Sequence, residues 1–160
     1  MIISHGRRYI FVHIPKTGGT SLALALEARA MKDDIMLGDT PKAKNRRRRL
    51  KNMTAAGRLW KHSTLSDIEG LVTREQIAQY FTFTLVRNPW DRLVSYYHWL
   101  QMQNFEHASV TLAKGLGFSE FINHKSIGTA FRAAQTDSYM RDGAGQIQCD
   151  SFIRIEQFEQ

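Results

Sequence analysis

The chain has 160 residues, of which 42% are hydrophobic and 23% are charged, and its net charge is +7. This composition is that of one globular domain, here expected over residues 1–160, and it excludes a chain that is disordered throughout. No apolar run approaches the roughly 18 residues that a membrane span needs, and Cys149, the only cysteine, excludes an internal disulfide. We therefore expect a cytoplasmic protein whose positive charge favours an anionic ligand.

The first predicted strand covers residues 9–14, YIFVHI. All of these residues except His13 are apolar, and a β-branched or aromatic run this short is typical of a buried strand. Pro15 ends the strand because proline has no N–H for a ladder hydrogen bond. Residues 22–31, LALALEARAM, are strong helix formers and predict a helix directly after the intervening loop.

The loop between this strand and this helix is suited to an anion. A glycine-bearing turn that enters a helix points backbone N–H groups and the positive end of the helix dipole at one small volume. A lysine and three hydroxyl side chains add further donors. The candidate ligands of a phosphate or sulfate group are Lys16, Thr17, Gly18, Gly19, Thr20 and Ser21.

Two segments follow in which the prediction is less specific. Residues 35–37 predict a short strand. Residues 42–51, KAKNRRRRLK, carry dense like charges that repel one another, which favours an exposed loop or a frayed helix. The functional alternative for this basic segment is a docking patch for an acidic acceptor or a nucleic acid.

A histidine of interest lies in residues 59–64, LWKHST. A lone histidine such as His62 is usually an ordinary surface or core residue, and nothing in the segment by itself marks it as catalytic. Residues 65–77 then predict a helix, for which Ser66 and Thr73 are the candidate caps.

The second clear strand covers residues 80–86, YFTFTLV, and a helix follows it without a gap. Asn88 is a good N-cap and Pro89 fits the first helical position. Arg87 is expected at the carboxyl end of the strand, where open α/β sheets place ligands. Ser95 lies eight positions later, on the helix. The predicted apolar stripe of this helix is Leu93, Val94, Tyr97 and Leu100.

Downstream of this helix the pattern is weaker. Residues 110–117 predict a loop or weak helix, and residues 118–123 predict a short helix. The histidines are scattered and no carboxylates cluster, so the sequence predicts no metal site.

Two of these motifs together resemble the sulfotransferases that use 3′-phosphoadenosine 5′-phosphosulfate (PAPS). PKTGGTS after FVHI is similar to their 5′-phosphosulfate loop, and RNPWDRLVSYY is similar to their 3′-phosphate motif. The resemblance is to the carbohydrate branch of that superfamily. It implies that residues 16–21 hold the 5′-phosphosulfate and that Arg87 and Ser95 hold the 3′-phosphate. It further implies that Lys16 is catalytic, that His62 is the general base and that Lys61 helps to hold the sulfuryl oxygens.

The resemblance also implies a fold. It is a three-layer α/β domain of the P-loop-NTPase-like type, with a mainly parallel sheet flanked by helices. Residues 135–140 and Arg132 are then expected near the nucleotide. Residues 150–158 are similar to the late strand of the family, with the side chains of Phe152, Ile153 and Ile155 buried. Because relatives continue beyond such a strand, we expect the chain to lack C-terminal helices of the family.

The implied function is sulfuryl transfer from PAPS to a hydroxyl, or less often an amine, leaving adenosine 3′,5′-bisphosphate. The expected acceptor is a carbohydrate or small metabolite, nucleic acid is an unlikely partner, and no metal is required. One alternative is a P-loop kinase or NTPase, which is disfavoured because GxxxxGK[ST] is absent and ATP has no 3′-phosphate for Arg87 and Ser95. The other is a non-enzymatic polyanion-binding module built on residues 42–51. The identity of the acceptor and the oligomeric state stay open.

Overall fold

The computed structural model describes residues 1–157, and these form two compact units. The first unit contains Met1–Val86 and the segment from Thr136 onward, and the second contains Arg87–Gln135. The sequence, which predicts one domain, gives no sign of this division.

The first unit is built on a five-stranded sheet with the order β3-β1-β2-β4-β5. The bounds of its strands, in chain order, are β1 Ile2–Ser4, β2 Tyr9–Val12, β3 Ile35–Met36, β4 Phe81–Val86 and β5 Ser151–Arg154. β2, β4 and β5 run parallel to their neighbours in that set, whereas β1 is antiparallel to both β2 and β3. The α/β class with a sheet flanked by helices is confirmed, and the sheet is mixed.

Each face of this sheet is covered. Helix α1 (Gly19–Ala28) packs Ala23 against Phe11 and Leu85 on one face. The other face buries Ile10 and Val12 against apolar residues of the 65–77 segment and Met140. Burial on both faces explains why β2 reads as a nearly continuous apolar run.

The helix predicted over residues 65–77 is mostly wrong. The segment forms turns whose backbone N–H groups bond to distant chain, as Leu65 does to the carbonyl of Tyr139. Gly70 has φ +98°, and a Cβ there would overlap the carbonyl oxygen of Thr54, so the chain turns where a helix would continue. Only α3 (Arg74–Gln79) is helical, and its capping box confirms Thr73 as the cap.

The basic segment 42–51, predicted as an exposed loop or a frayed helix, is helical. It contains α2 (Pro41–Arg46), capped by the Thr40 hydroxyl, and a 3-10 turn at Arg47–Leu50. Proline at the first helical position and a capping threonine start a short helix despite the charge repulsion. Most of its side chains are exposed, and Ala43 is buried.

The late part of the first unit corrects one burial prediction. β5 confirms a strand within residues 150–158, although Phe158 lies outside the described residues. Phe152 was expected to be buried but is 45% exposed, because β5 is the edge strand of the sheet and this side chain has a neighbouring strand on one side only. Ile153 and Ile155 are partly buried. Residues 135–140 include a short helix, α8 (Thr136–Tyr139).

The second unit consists of four helices. Their bounds are α4 Pro89–Gln101, α5 Ala108–Gly115, α6 Phe118–Asn123 and α7 Lys125–Ala133. The predicted start of α4 is confirmed, because the Asn88 side chain accepts a hydrogen bond from the Trp90 N–H at 3.0 Å. Tyr97 and Leu100 of the predicted stripe are buried in the core of this unit, but Val94 is 38% exposed. α7 was not predicted.

Candidate functional site

The loop that follows β2 is fixed from inside by a buried hydroxyl. Thr17 is 1% exposed, and its hydroxyl donates to the carbonyl of Ile14 at 2.9 Å. This side chain therefore shapes the turn, and its backbone N–H is what remains to meet a ligand. In Ser21 it is the backbone N–H that is used within the loop, since it donates to the carbonyl of Gly18 at 3.2 Å. Its hydroxyl, like that of Thr20, belongs to an exposed residue.

Both glycines of the loop are required by their surroundings. Gly18 has φ +78°, where side chains are rare, and a Cβ there would overlap Cδ1 of Ile155. A Cβ on Gly19, the first residue of α1, would lie 2.6 Å from Nε2 of His13. Because His13 is only 6% exposed, its ring has little room to move. At Gly19 the backbone therefore lies closer to the ring of His13, the residue after β2, than a residue with a Cβ would allow.

Lys16 adopts a left-handed backbone conformation with φ +66°. This conformation costs a non-glycine residue of the order of 1 kcal/mol, and such residues cluster at active sites and ligand-binding loops. The side chain is partly buried. The strained residue is therefore the one that carries the positive charge of the loop.

His62 lies beside the end of β2. Its Nδ1 is 2.7 Å from the carbonyl oxygen of His13. Since a carbonyl only accepts hydrogen bonds, Nδ1 carries the proton and Nε2 keeps its lone pair. The ring also packs edge-on against His13 and Trp60, with centroid distances of 4.7 and 5.0 Å. The tautomer and orientation of His62 are thus set by its neighbours.

Both histidines are neutral at pH 7. Burial lowers the pKa of His62 to about 4, and its hydrogen bond to the backbone of His13 opposes this shift only in part. Burial, followed by the nearby positive charges, lowers the pKa of His13 to about 3. A neutral His62 with its lone pair on Nε2 is the form that a general base requires.

A cavity of about 230 Å³, here called the loop cavity, opens beside the start of α1. Its polar lining residues are His13, Thr20, Glu27, Asp39, Thr40 and Lys61. Glu27 is 6% exposed and accepts a hydrogen bond from the Thr40 hydroxyl at 2.7 Å. Lys61 pairs with Asp39 at 3.0 Å. A cavity with this polar lining, reached from Thr20 of the loop, suits a small polar ligand.

The remaining candidates belong to the second unit. Arg87 directly follows β4 in the chain, and Ser95 lies in the second turn of α4. Both residues are partly buried. Arg132 lies in the last turn of α7. Of the predicted site residues, His62 and the loop residues 16–21 belong to the first unit, where His62 lies beside the end of β2. Arg87, Ser95 and Arg132 belong to the second unit.

A comparison with known protein families shows which family the chain belongs to. The profile described as "Sulfotransferase family" matches residues 1–157. The chain belongs to the sulfotransferase family. This confirms the resemblance drawn from PKTGGTS and RNPWDRLVSYY, and it supports sulfuryl transfer as the general activity. Searches of curated proteins and of solved structures find no match to this sulfotransferase.

None of the helices within residues 1–157 is long and apolar enough to cross a membrane, and the cytoplasmic location stays a prediction. The same residues include no group of three or more histidine, cysteine or acidic side chains able to hold a metal ion.

Sequence reasoning about the sulfotransferase loop missed His13. In the sequence this residue only interrupts an apolar strand, whereas in the fold it contacts Gly19, orients His62 through its carbonyl and lines the loop cavity. The available signal was a polar residue in a buried strand directly before a glycine loop. Glu27 was also missed, since in the sequence it is one of several polar residues of a helix.

Proposed function

We propose that this sulfotransferase moves a sulfuryl group from PAPS to a hydroxyl or amine of a carbohydrate or small metabolite. The observation that carries the proposal is the loop after β2. Its strained Lys16, its two sterically required glycines and the start of α1 form an anion cradle, and the loop cavity begins at Thr20 of the same loop.

The residues present fit the donor. Lys16 and the backbone N–H groups of residues 17–20 are donors suited to the 5′-phosphosulfate, and the exposed hydroxyls of Thr20 and Ser21 add to them. Arg87 offers a fork of donors matched to a phosphate group, and Ser95 offers a hydroxyl on a helix, so we assign this pair to the 3′-phosphate. When bound, PAPS supplies an activated sulfuryl group and leaves as adenosine 3′,5′-bisphosphate.

The chain's own residues then handle protons and charge. We assign the acceptor's proton to Nε2 of His62, since Nδ1 is already protonated toward the carbonyl of His13. With PAPS bound, the acceptor's oxygen or nitrogen would bond to sulfur as the bond from sulfur to the leaving phosphate oxygen breaks. Lys16 places a positive charge where negative charge develops on that phosphate, and a donor of this kind typically stabilises a transition state by a few kcal/mol, about 3 in measured cases.

Calorimetric titration with adenosine 3′,5′-bisphosphate, run beside AMP and ATP, tests the donor assignment. We expect binding that depends on the 3′-phosphate and that weakens by about 1.5–3 kcal/mol in Arg87→Ala, the range for losing a hydrogen bond to a charged group. Arg48→Ala is the control, because it removes the same charge from the exposed basic segment.

Three results would contradict the proposal: equal binding of ATP, no nucleotide binding, or equal losses in Arg87→Ala and Arg48→Ala. The first would favour a P-loop kinase, and the third would show that only net charge matters. If binding follows the 3′-phosphate, sulfuryl transfer is then measured across an acceptor panel, with His62→Ala expected to bind nucleotide normally but transfer poorly.

A further inference from the structure

A second cavity, here called the basic cavity, lies in the first unit and has a volume of about 500 Å³. Its charged lining residues are Asp39, Arg47, Lys51, Arg58 and Lys61. The one carboxylate among these five is paired with Lys61 at 3.0 Å. The remaining three cations, which line a concave surface, create a positive potential that favours an anionic ligand.

The wall of the basic cavity is ordered by contacts of its own. The guanidinium of Arg58 lies over the ring of Trp60, 5.0 Å from its centroid. Arg47 donates to the carbonyl of Gly38 at 3.4 Å. Trp60 is 40% exposed, so a planar apolar surface lines the same cavity as the two arginines. This combination suits a ligand that carries both a ring and an oxyanion.

The basic cavity adjoins the loop cavity. Both are lined by Leu37, Gly38, Asp39 and Lys61. The loop cavity also reaches Thr20 of residues 16–21, here called the anion loop. Trp60 contacts the ring of His62. A ligand that contacts Trp60 in the basic cavity is thus close to His62, the residue to which we assign the acceptor's proton.

We propose that the basic cavity holds the acidic end of the acceptor, and that the acceptor is a ring compound bearing a carboxylate. This inference rests on the proposed function, in which the chain transfers a sulfuryl group to an acceptor. It adds the chemical class of that acceptor. Arg47 and Arg58 would bind the carboxylate, and Trp60 would pack on the ring. The volume of about 500 Å³ lies within the range of small-ligand pockets.

The shape of the cavity favours this ligand over a nucleic acid. A polyanion bound along the exposed basic segment would use its arginines about equally. Arg48 belongs to the same segment but does not line the basic cavity. Arg47 and Arg48 are both exposed and adjacent in the chain, so their comparison separates a cavity ligand from a general surface charge effect.

The test uses cellobiuronic acid and cellobiose, two disaccharides that differ in one carboxyl group. Binding of each to the full chain is measured by ligand-observed NMR at fixed ionic strength, without nucleotide. We expect the acid to bind at least about tenfold more tightly, and Arg47→Gln and Arg58→Gln each to reduce its affinity by roughly tenfold, the low end for a charged hydrogen bond. Arg48→Gln should leave its affinity unchanged.

Equal affinity for the two sugars, no binding of either, or an equal loss in Arg47→Gln and Arg48→Gln would overturn the inference. Unchanged thermal unfolding of the variants shows that they are folded. Titration with adenosine 3′,5′-bisphosphate is run on the same samples. If nucleotide binding is absent while the acid binds as expected, the proposed function fails and the acid site stands. If nucleotide binds and the acid does not, the acid site alone fails.

Discussion

The anion loop and the wall of the basic cavity are built in opposite ways. In the loop, a Cβ added to Gly19 would lie 2.6 Å from Nε2 of the His13 ring, and the Thr17 side chain is buried. The wall consists of side chains such as Arg47 and Arg58, which are exposed. The loop is therefore held by backbone packing and tolerates little change, whereas the wall can change without loss of the fold. Substitutions in the two regions should therefore differ in how far they affect folding as well as binding.

The largest effect is expected at Gly19. In Gly19→Ala the new methyl group meets the ring of His13, which is buried and cannot move freely. Inserting a methyl group into a packed site costs about 1–3 kcal/mol, so the free energy of unfolding measured in urea should fall by that amount. Because the same displacement moves the anion loop, we expect the affinity for adenosine 3′,5′-bisphosphate to fall as well.

Gly115→Ala is the matched control, since nothing lies within 4 Å of a Cβ at that position. It should be neutral or slightly stabilising, by less than about 1 kcal/mol. In the double variant His13→Ala/Gly19→Ala the steric conflict is removed, so the two changes should be non-additive. Additive losses would show that the ring of His13 does not limit residue 19.

The next effect is the response of stability to pH. The pKa values of His13 and His62 are lowered by burial to about 3 and about 4. Because the unfolded chain binds protons at higher pH than the folded chain, their contribution is complete above about pH 6.5 and is lost as the pH falls toward the folded values. Each histidine should contribute up to about 1.4 kcal/mol per pH unit. Urea unfolding at several pH values between 7 and 5 measures this slope.

Variants assign the slope to the buried rings. The buried amino group of Met1, whose pKa is lowered by burial to about 5, and His13 contribute to the slope in the same window. His62→Gln should therefore remove about a third of the pH dependence, whereas His98→Gln, at an exposed position on α4, should leave it unchanged. If His62→Gln keeps the full slope, its pKa is not lowered in the fold, and the case for a neutral, oriented base is lost.

The anion loop and the wall of the basic cavity also differ in how far the sequence predicts them. Gly18, Gly19 and Lys16 could be predicted because a lysine and two glycines between a strand and a helix form a local sequence pattern. The contact of His13 with Gly19 joins the residue after β2 to the first residue of α1, and no local sequence pattern predicts it. The basic cavity was not predicted at all, since Arg47 and Arg58 meet only through the fold, and the sequence shows no more than a run of positive charge.

Errors in the fold have similar causes. The pattern of residues 65–77 favours a helix, but tertiary hydrogen bonds and the positive φ of Gly70 override it. β1 has three residues, too few for a periodic signal. Phe152 has the composition of a buried strand residue, and its exposure follows from the edge position of β5. The start of α4 was predictable because Asn88 and Pro89 act locally.

A smaller effect is expected at Lys16, where two variants separate charge from backbone strain. Lys16→Ala keeps the left-handed residue with its Cβ, and Lys16→Gly relieves the strain. Both should lose nucleotide affinity to a similar extent, because both lose the charge. Lys16→Gly should be the more stable of the two by about 1 kcal/mol. Equal stability would show that the strain relieved at φ +66° is no larger than the entropy that glycine adds to the unfolded chain.

The smallest effect on folding is expected at Lys61, which lines both cavities. Its side chain is 41% exposed and that of its partner Asp39 is 62% exposed, and exposed ion pairs contribute at most about 1 kcal/mol. Lys61→Gln should therefore change the free energy of unfolding by less than that. If Lys61 holds the sulfuryl oxygens, the variant should bind PAPS several-fold more weakly but bind adenosine 3′,5′-bisphosphate, which has no sulfuryl group, as the parent does. Lys51→Gln, which removes a charge from the basic cavity alone, should alter neither affinity, and an equal loss for both nucleotides in Lys61→Gln would assign Lys61 to general charge attraction.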